Sequence, residues 1–318
     1  MNNNFQLKVF SGRANLPLSE KIAHYLGDPL GKLTLVNFPD GEFWARLDDD
    51  VRGRDVFVVQ PTCHPVNENI MELLIILDSL KRASAARITV VLPYYGYARQ
   101  DRKAEGRVPI TAKLVADLVT SAGAQRVLTL DLHAAQIQGF FDIPVDHLYA
   151  SPVILKYVRS MHFDLQDAVV LCPDEGSVKR ALRYQKKLNV SMSIVDKRRI
   201  NANQVEHGSL IGASLEGKVA LIFDDMISTA GTVVSAANTA IKVGKAKAVY
   251  VFCTHGVLCG EAIPRLQAAP LEKLVITDTI PLTPEKQLEK IEVLTVGELL
   301  ADAIKRIHFN QSVSELFV

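Results

Sequence analysis

Short apolar runs recur along the chain, at 56–59, 88–92, 127–130, 168–171, 192–195, 219–223, 248–252, 274–276 and 291–294. Runs without apolar–polar alternation read as strands buried on both faces. Helical spacing fills the intervals. It is clearest over 69–83, where Ile70, Leu73, Leu74, Leu77 and Leu80 form one stripe, and 109–122 and 296–307 are similar. Buried strands alternating with amphipathic helices restrict the chain to an α/β fold with parallel sheets covered on both sides. The pattern runs twice: 56–60, 88–92 and 127–131 correspond to 168–172, 219–223 and 248–253. The reading is two tandem doubly wound domains, 1–150 and 151–318, with ligands expected beyond the carboxyl ends of the strands.

One such end carries the most chemistry. The run from Val219 to Phe223 is expected to end at Asp224 and Asp225, followed by a Ser228-Thr229-Ala230-Gly231-Thr232 turn and a helix over 232–243, with Gly244 at its C-cap. Backbone amides and hydroxyls at a helix N-terminus suit an anion. The two carboxylates beside them can accept hydrogen bonds from vicinal hydroxyls. A phosphate cradle next to a diol reader points to a ribose phosphate. No G-x-x-x-x-G-K-[ST] occurs, which excludes a P-loop.

Other strand ends add to this. Asp131 and His133 follow the 127–130 run, and on an extended chain residues two apart point the same way. Asp174 repeats the arrangement after 168–171. A magnesium site built from few protein ligands and substrate phosphates needs no more. Asp196-Lys197-Arg198-Arg199 follows 192–195, and cations there can neutralise a transferring phosphoryl group. The segment from Tyr94 to Arg102 offers aromatic and guanidinium groups for a base and phosphates.

Composition sets limits on partners. Lys+Arg number 36 against Asp+Glu 35, so bulk charge points to neither nucleic acid nor a membrane surface. Cys63, Cys172, Cys253 and Cys259 lack the paired spacing of a zinc site and read as small buried hydrophobes. With no secretory pattern and no membrane-length apolar stretch, a soluble cytoplasmic protein is expected.

Together the segments closely resemble ribose-phosphate diphosphokinase, also called phosphoribosyl pyrophosphate synthetase. The resemblance covers nearly the whole chain: Phe38-Pro-Asp-Gly-Glu42, Ala98-Arg-Gln-Asp-Arg102, the run from Asp131 to Asp142, Asp196-Lys-Arg-Arg199 and the run from Ser312 to Phe317. It implies two domains of phosphoribosyltransferase type, an ATP side within 1–150 and a ribose 5-phosphate side within 151–318. The implied reaction converts ATP and ribose 5-phosphate to AMP and phosphoribosyl pyrophosphate, with Mg2+ bridging phosphates. By resemblance, Asp40, Gly41, Glu42, Arg99, Gln100 and Asp101 hold ATP, and His133 and Asp174 belong to metal sites. Lys197 and Arg199 are the implied catalytic pair. The resemblance likewise implies that Asp224, Asp225, Ser228, Thr229, Ala230, Gly231 and Thr232 bind ribose 5-phosphate. The implied assembly is a homohexamer.

Some residues depart from the family pattern. Ser228 stands where the family usually has Asp, and Pro173-Asp-Glu-Gly-Ser177 replaces Pro-Asp-x-Gly-Gly. Asp50 and Gly106 fall where many members carry serines for a regulatory anion, and a carboxylate there should repel phosphate. Two other readings stay open at this level: a non-catalytic regulatory partner of a synthetase, and a phosphoribosyltransferase. The first leaves His133, Asp174, Lys197 and Arg199 without a purpose. The second leaves the duplicated architecture and the two basic motifs unexplained.

Overall fold

A computed structural model describes residues 5–196, 199–201, 204–205 and 209–317. The chain divides into two compact units. One comprises the residues up to Ala150 together with Thr279–Pro281 and the chain from Thr295; the other comprises Ser151–Asp278 and Leu282–Leu294.

In the first unit, β1 (Leu7–Ser11) leads through α1 (Leu16–Leu26) and the antiparallel hairpin β2 (Leu33–Asn37) and β3 (Phe43–Leu47) to β4 (Asp55–Val59). Then come α2 (Val66–Arg82), β5 (Arg87–Leu92), α3 (Thr111–Ala122), β6 (Arg126–Leu130) and β7 (Val145–Leu148). The sheet is parallel and follows chain order, β1-β4-β5-β6-β7. All of β4 is buried, as its apolar run demands. Val56 and Val58 join Leu73, Ile76, Leu77 and Leu80 of α2 in one core cluster, whereas Phe57 and Val59 are buried outside that cluster. Successive side chains therefore serve opposite faces, which explains the absence of alternation.

Helix α1 starts where Asn15 accepts the amide of Leu18 at 3.3 Å and stops at Gly27 in the left-handed region. It packs against α8 (Gly297–His308), which belongs to the same unit. The approach is close: a Cβ on Gly297 would lie 3.0 Å from Cβ of Lys21. The far end of α8 is tied to the sheet by fully buried Asp55, which pairs with Nδ1 of His308 at 2.7 Å and with Arg87. Arg87 also donates to the carbonyl of His308 at 3.1 Å.

The second unit holds α4 (Ser151–Arg159), β8 (Ala168–Cys172), α5 (Val178–Leu188), β9 (Ser191–Asp196), β10 (Arg199–Asn201), β11 (Gln204–Val205) and β12 (Ser209–Gly212). It continues with β13 (Val219–Ile227), α6 (Gly231–Lys242), β14 (Ala248–Gly256), α7 (Ala262–Ala268), β15 (Lys273–Thr277) and β16 (Ile291–Leu294). Seven strands run in the order β12-β9-β8-β13-β14-β15-β16, parallel apart from β12 on β9. The chain moves outward from β8 to β9, then returns to place β13 on the other side of β8. That reversal opens a crevice at the carboxyl ends of β8 and β13, where doubly wound sheets bind ligands. Strand β13 runs through Asp224 and Asp225 to Ile227 rather than ending at them. Pairing with β14 continues to Gly256, so the ladder extends past the apolar run. The C-cap of α6 is Val243, one residue before the expected Gly244.

Candidate active site

Helix α5 builds the first part of the site. Its inward row at i, i+4 and i+8 is Arg180, Tyr184 and Leu188. Tyr184 stacks on Phe223 with ring centroids 3.8 Å apart and planes 7° apart, and Phe223 lies 5.1 Å from Phe252. This clamps α5 over β13. One turn earlier, the Arg180 guanidinium reaches both neighbouring carboxylates, Nη1 to Oδ1 of Asp224 and Nη2 to Oδ1 of Asp225. Residues adjacent on a regular strand face opposite sides, yet one guanidinium serves both here while β13 keeps one register with β14, Asp224 opposite Cys253 and Met226 opposite His255. The nearby register shift, between Cys253 and His255, lies in the pairing of β14 with β15.

Asp224 is mostly buried. Burial pushes its carboxyl up to about 7, with Asp225 adding to the rise and the Arg180 charge opposing it. The hydrogen bonds from Arg180 and from the amide of Asp225 at 2.9 Å fall on Oδ1, and the Asp225 carboxyl also lies within hydrogen-bonding reach.

The turn after β13 is held through its carbonyls. Ile227 accepts from the amide of Leu258 at 3.0 Å, Ser228 from that of Cys259 at 2.9 Å, and Thr229 from Nη1 of Arg265 at 3.1 Å. Ala230, the N-cap of α6, has φ +62° and makes no side-chain cap. The first amides of a helix have no intrahelical partner, and without a capping oxygen they stay available to an anion. An alanine in the left-handed region costs roughly 1 kcal/mol, strain of a kind concentrated at binding turns. Ser228 Oγ lies 3.2 Å from Sγ of Cys259. Cys259 is exposed, unlike the other three cysteines, which corrects its reading as a buried hydrophobe.

Asp174 ends β8 across the same reversal. Its Oδ1 accepts from the amide of Ser177 at 3.0 Å and from Ser177 Oγ at 2.7 Å. Ser177, where the family pattern has glycine, is buried and adds a hydrogen bond that orients Asp174. Glu175 is exposed.

In the first unit, Phe38 to Glu42 closes the β2–β3 hairpin. The amide of Phe38 donates to the carbonyl of Glu42 at 2.8 Å, and Asp40 Oδ1 accepts the amide of Glu42 at 3.1 Å. Gly41 has φ +93°, a conformation that disfavours any side chain there. Arg99 and Gln100 are exposed. Gln100 Oε1 accepts from Thr111 Oγ1 at 2.5 Å, and Asp101 Oδ2 accepts from Nε2 of Gln136 at 2.7 Å. His133 follows β6, but Asp131 has φ +40°, so the chain is not extended there and the side-by-side arrangement expected of Asp131 and His133 loses its basis. Asp131 instead accepts the amide of Ala150 at 2.9 Å.

Lys197 lies outside the described residues. Arg199 opens β10, paired antiparallel with β11. Sequence reasoning missed Arg180 and Arg265. For Arg180 a signal existed: a cation on the same helical row as Tyr184 and Leu188 is a charge placed on the buried face.

Among the described residues no three His, Cys, Asp or Glu side chains gather as a metal cluster. Nor is any described helix long and apolar enough to cross a membrane. Residues 7–123 match the N-terminal domain of ribose phosphate pyrophosphokinase, and residues 207–318 match the phosphoribosyl synthetase-associated domain. A ribose-phosphate pyrophosphokinase of Rhodopirellula baltica is 61% identical over 312 residues, 98% of each chain. Another, from Caldanaerobacter subterraneus subsp. tengcongensis, is 54% identical over 311 residues, again 98% of each. The crystal structure of phosphoribosylpyrophosphate synthetase from Mycobacterium smegmatis superposes with a TM-score of 0.88 at 39% identity, covering 96% of this chain and 99% of that one.

Proposed function

The chain belongs to the ribose-phosphate pyrophosphokinase family, and we propose that it transfers the pyrophosphoryl group of ATP to the C1 hydroxyl of ribose 5-phosphate, releasing AMP and phosphoribosyl pyrophosphate. The observation that carries this reading is a likeness extending over the whole chain, 98% of it at 61% identity. It is an enzyme of the transferase class, serving nucleotide biosynthesis.

The acceptor sugar is assigned to the second unit. Asp224 would take a ribose hydroxyl, with Asp225 beside it, and the amides and hydroxyls of 228–232 would hold the 5-phosphate. ATP is assigned to the first unit, on Asp40, Gly41, Glu42, Arg99, Gln100 and Asp101. Lys197 and Arg199 would neutralise the transferring phosphoryls, since a loose transition state asks for positioning and charge more than for covalent chemistry. His133 in the first unit and Asp174 in the second would each belong to a Mg2+ site. Asp174 fits that role, because its Oδ1 is engaged by Ser177 and Oδ2 receives no hydrogen bond from a described residue. Magnesium takes one or two carboxylates and completes its shell with phosphates and water, so a sparse donor set suits it. When bound, it supplies charge neutralisation across the phosphates. A homohexameric, cytoplasmic enzyme completes the proposal.

The test is direct: purified protein with ATP, magnesium and ribose 5-phosphate should produce AMP only when all three are present. No AMP at any phosphate concentration would overturn the function.

Two further outcomes follow from single carboxylates. Asp50 is exposed and accepts the amide of Arg52 at 3.1 Å, so its charge repels a phosphate bound nearby. Titrating millimolar phosphate into the assay should raise the rate little, and strong activation refutes this. Asp224 titrates near 7, far above its ordinary 3.8. Below about 7 it protonates and loses acceptor capacity, so kcat/KM for ribose 5-phosphate should fall about tenfold per pH unit on the acid side. The same shift sets a sign for stability. A folded value above the unfolded one means that ionising Asp224 costs stability as pH rises from 3.8 to about 7. A flat kcat/KM profile from pH 6 to 8 would contradict the assignment of Asp224.

A further inference from the structure

Arg180 lies in none of the segments that carry the family resemblance, yet its guanidinium is the one described cation bonded to both adjacent carboxylates. We propose that Arg180 is the positioning residue of the acceptor site, fixing which oxygens of Asp224 and Asp225 face the sugar. The proposal rests on the assignment of ribose 5-phosphate to these carboxylates.

The geometry carries it. A guanidinium is a rigid fork, and its two ends here hold Oδ1 of Asp224 and Oδ1 of Asp225. With Oδ1 of Asp224 held from one side by Arg180 and from another by the amide of Asp225, rotation of that carboxylate is blocked and Oδ2 keeps one direction. The fork is itself anchored, because Tyr184, one turn along α5, stacks on Phe223, the residue before Asp224. The fork and its targets are thus set by a single aromatic stack rather than by a flexible arm.

Charge works in the same direction. The charged groups that act most on Asp224 are Arg180 on α5 and Asp225 on its own strand, and the buried Cys253 thiol on β14 lies within reach of both carboxylates. Burial pushes that thiol up, so it is neutral near pH 7. Arg180 is therefore the sole cation in that set offsetting two adjacent negative charges. A lysine in its place keeps the charge but cannot fork to two carboxylates at once.

The test is Arg180→Lys, compared with the wild type for direct binding of ribose 5-phosphate by calorimetry, AMP formation and thermal melting. The expected result is ribose 5-phosphate binding weakened about tenfold or more, the loss of one charge-assisted hydrogen bond, with KM for ATP unchanged. The acid limb of kcat/KM for ribose 5-phosphate should also move to higher pH. A purely structural role predicts the reverse pattern, a lower melting temperature with sugar affinity and acid limb unmoved, and that result overturns the proposal. Should Arg180→Lys fail to fold, Arg180→Met combined with Asp225→Asn removes one charge of each sign. That variant should fold and still lose sugar affinity; wild-type affinity in it overturns the proposal. If the wild type itself neither binds ribose 5-phosphate nor forms AMP, the functional assignment falls and takes this role with it. An active wild type with an unaffected Arg180→Lys sinks the positioning role alone.

Discussion

Replacing Lys197 with alanine is expected to lower kcat by roughly 10³-fold while leaving KM for ATP and ribose 5-phosphate almost unchanged. A cation that acts on charge appearing on transferring phosphoryls works in the transition state, so its removal is read in kcat rather than in ground-state binding. Arg199→Ala should fall in the same direction. If the two cations act as a unit, the double variant will lose much less than the product of the single losses. Initial-rate AMP assays at saturating substrates, with thermal melts of each variant as the folding control, decide the matter. A Lys197→Ala enzyme with wild-type kcat would remove this loop from the chemistry. A raised KM with normal kcat would reassign it to substrate binding.

The second large effect concerns stability. Phe223 is 1% exposed, sandwiched between Tyr184 at 3.8 Å and Phe252 at 5.1 Å between ring centroids. Phe223→Ala removes the centre of that stack from a core that cannot fully collapse around the gap, and should cost about 3–5 kcal/mol. Urea denaturation of the variant measures it. Leu182, on the same helix but 38% exposed, serves as the control, and Leu182→Ala should change stability by no more than about 0.5 kcal/mol. A loss at Phe223 no larger than the control would mean that α5 is not held on β13 by this stack.

The strands were legible because burial on both faces leaves a run of Val, Ile and Leu that almost no other environment tolerates. Val56 to Val59 and Val219 to Phe223 illustrate it, and the structure pairs each with a parallel strand on both sides. Ends were less legible. Strand β13 continues through Asp224 and Asp225 because β14 keeps supplying hydrogen-bond partners as far as Gly256, a condition set by a neighbour and absent from the local pattern. Likewise, Asp131 adopts a positive φ at the close of β6, where its carboxylate accepts the amide of Ala150 nineteen residues on. Periodicity carries no trace of such a contact.

What the sequence determined by itself was the list of chemical groups: two adjacent carboxylates, a Thr-Ala-Gly-Thr turn opening a helix, Asp174 at a strand end, and a basic loop. Residue type and short spacing settle which charges and donors a segment can present, and the proposed ribose phosphate rests on these. Tertiary structure decided how they are held. The return of the chain from β9 to β13 puts Asp174 and Asp224 at one reversal of strand order. The aromatic stack on Phe223 brings Arg180, 44 residues away, onto both carboxylates. The physical reason is one of range: propensity and spacing act over a turn or two of chain. The direction in which a carboxylate oxygen points is fixed by whichever distant side chain the packing brings against it.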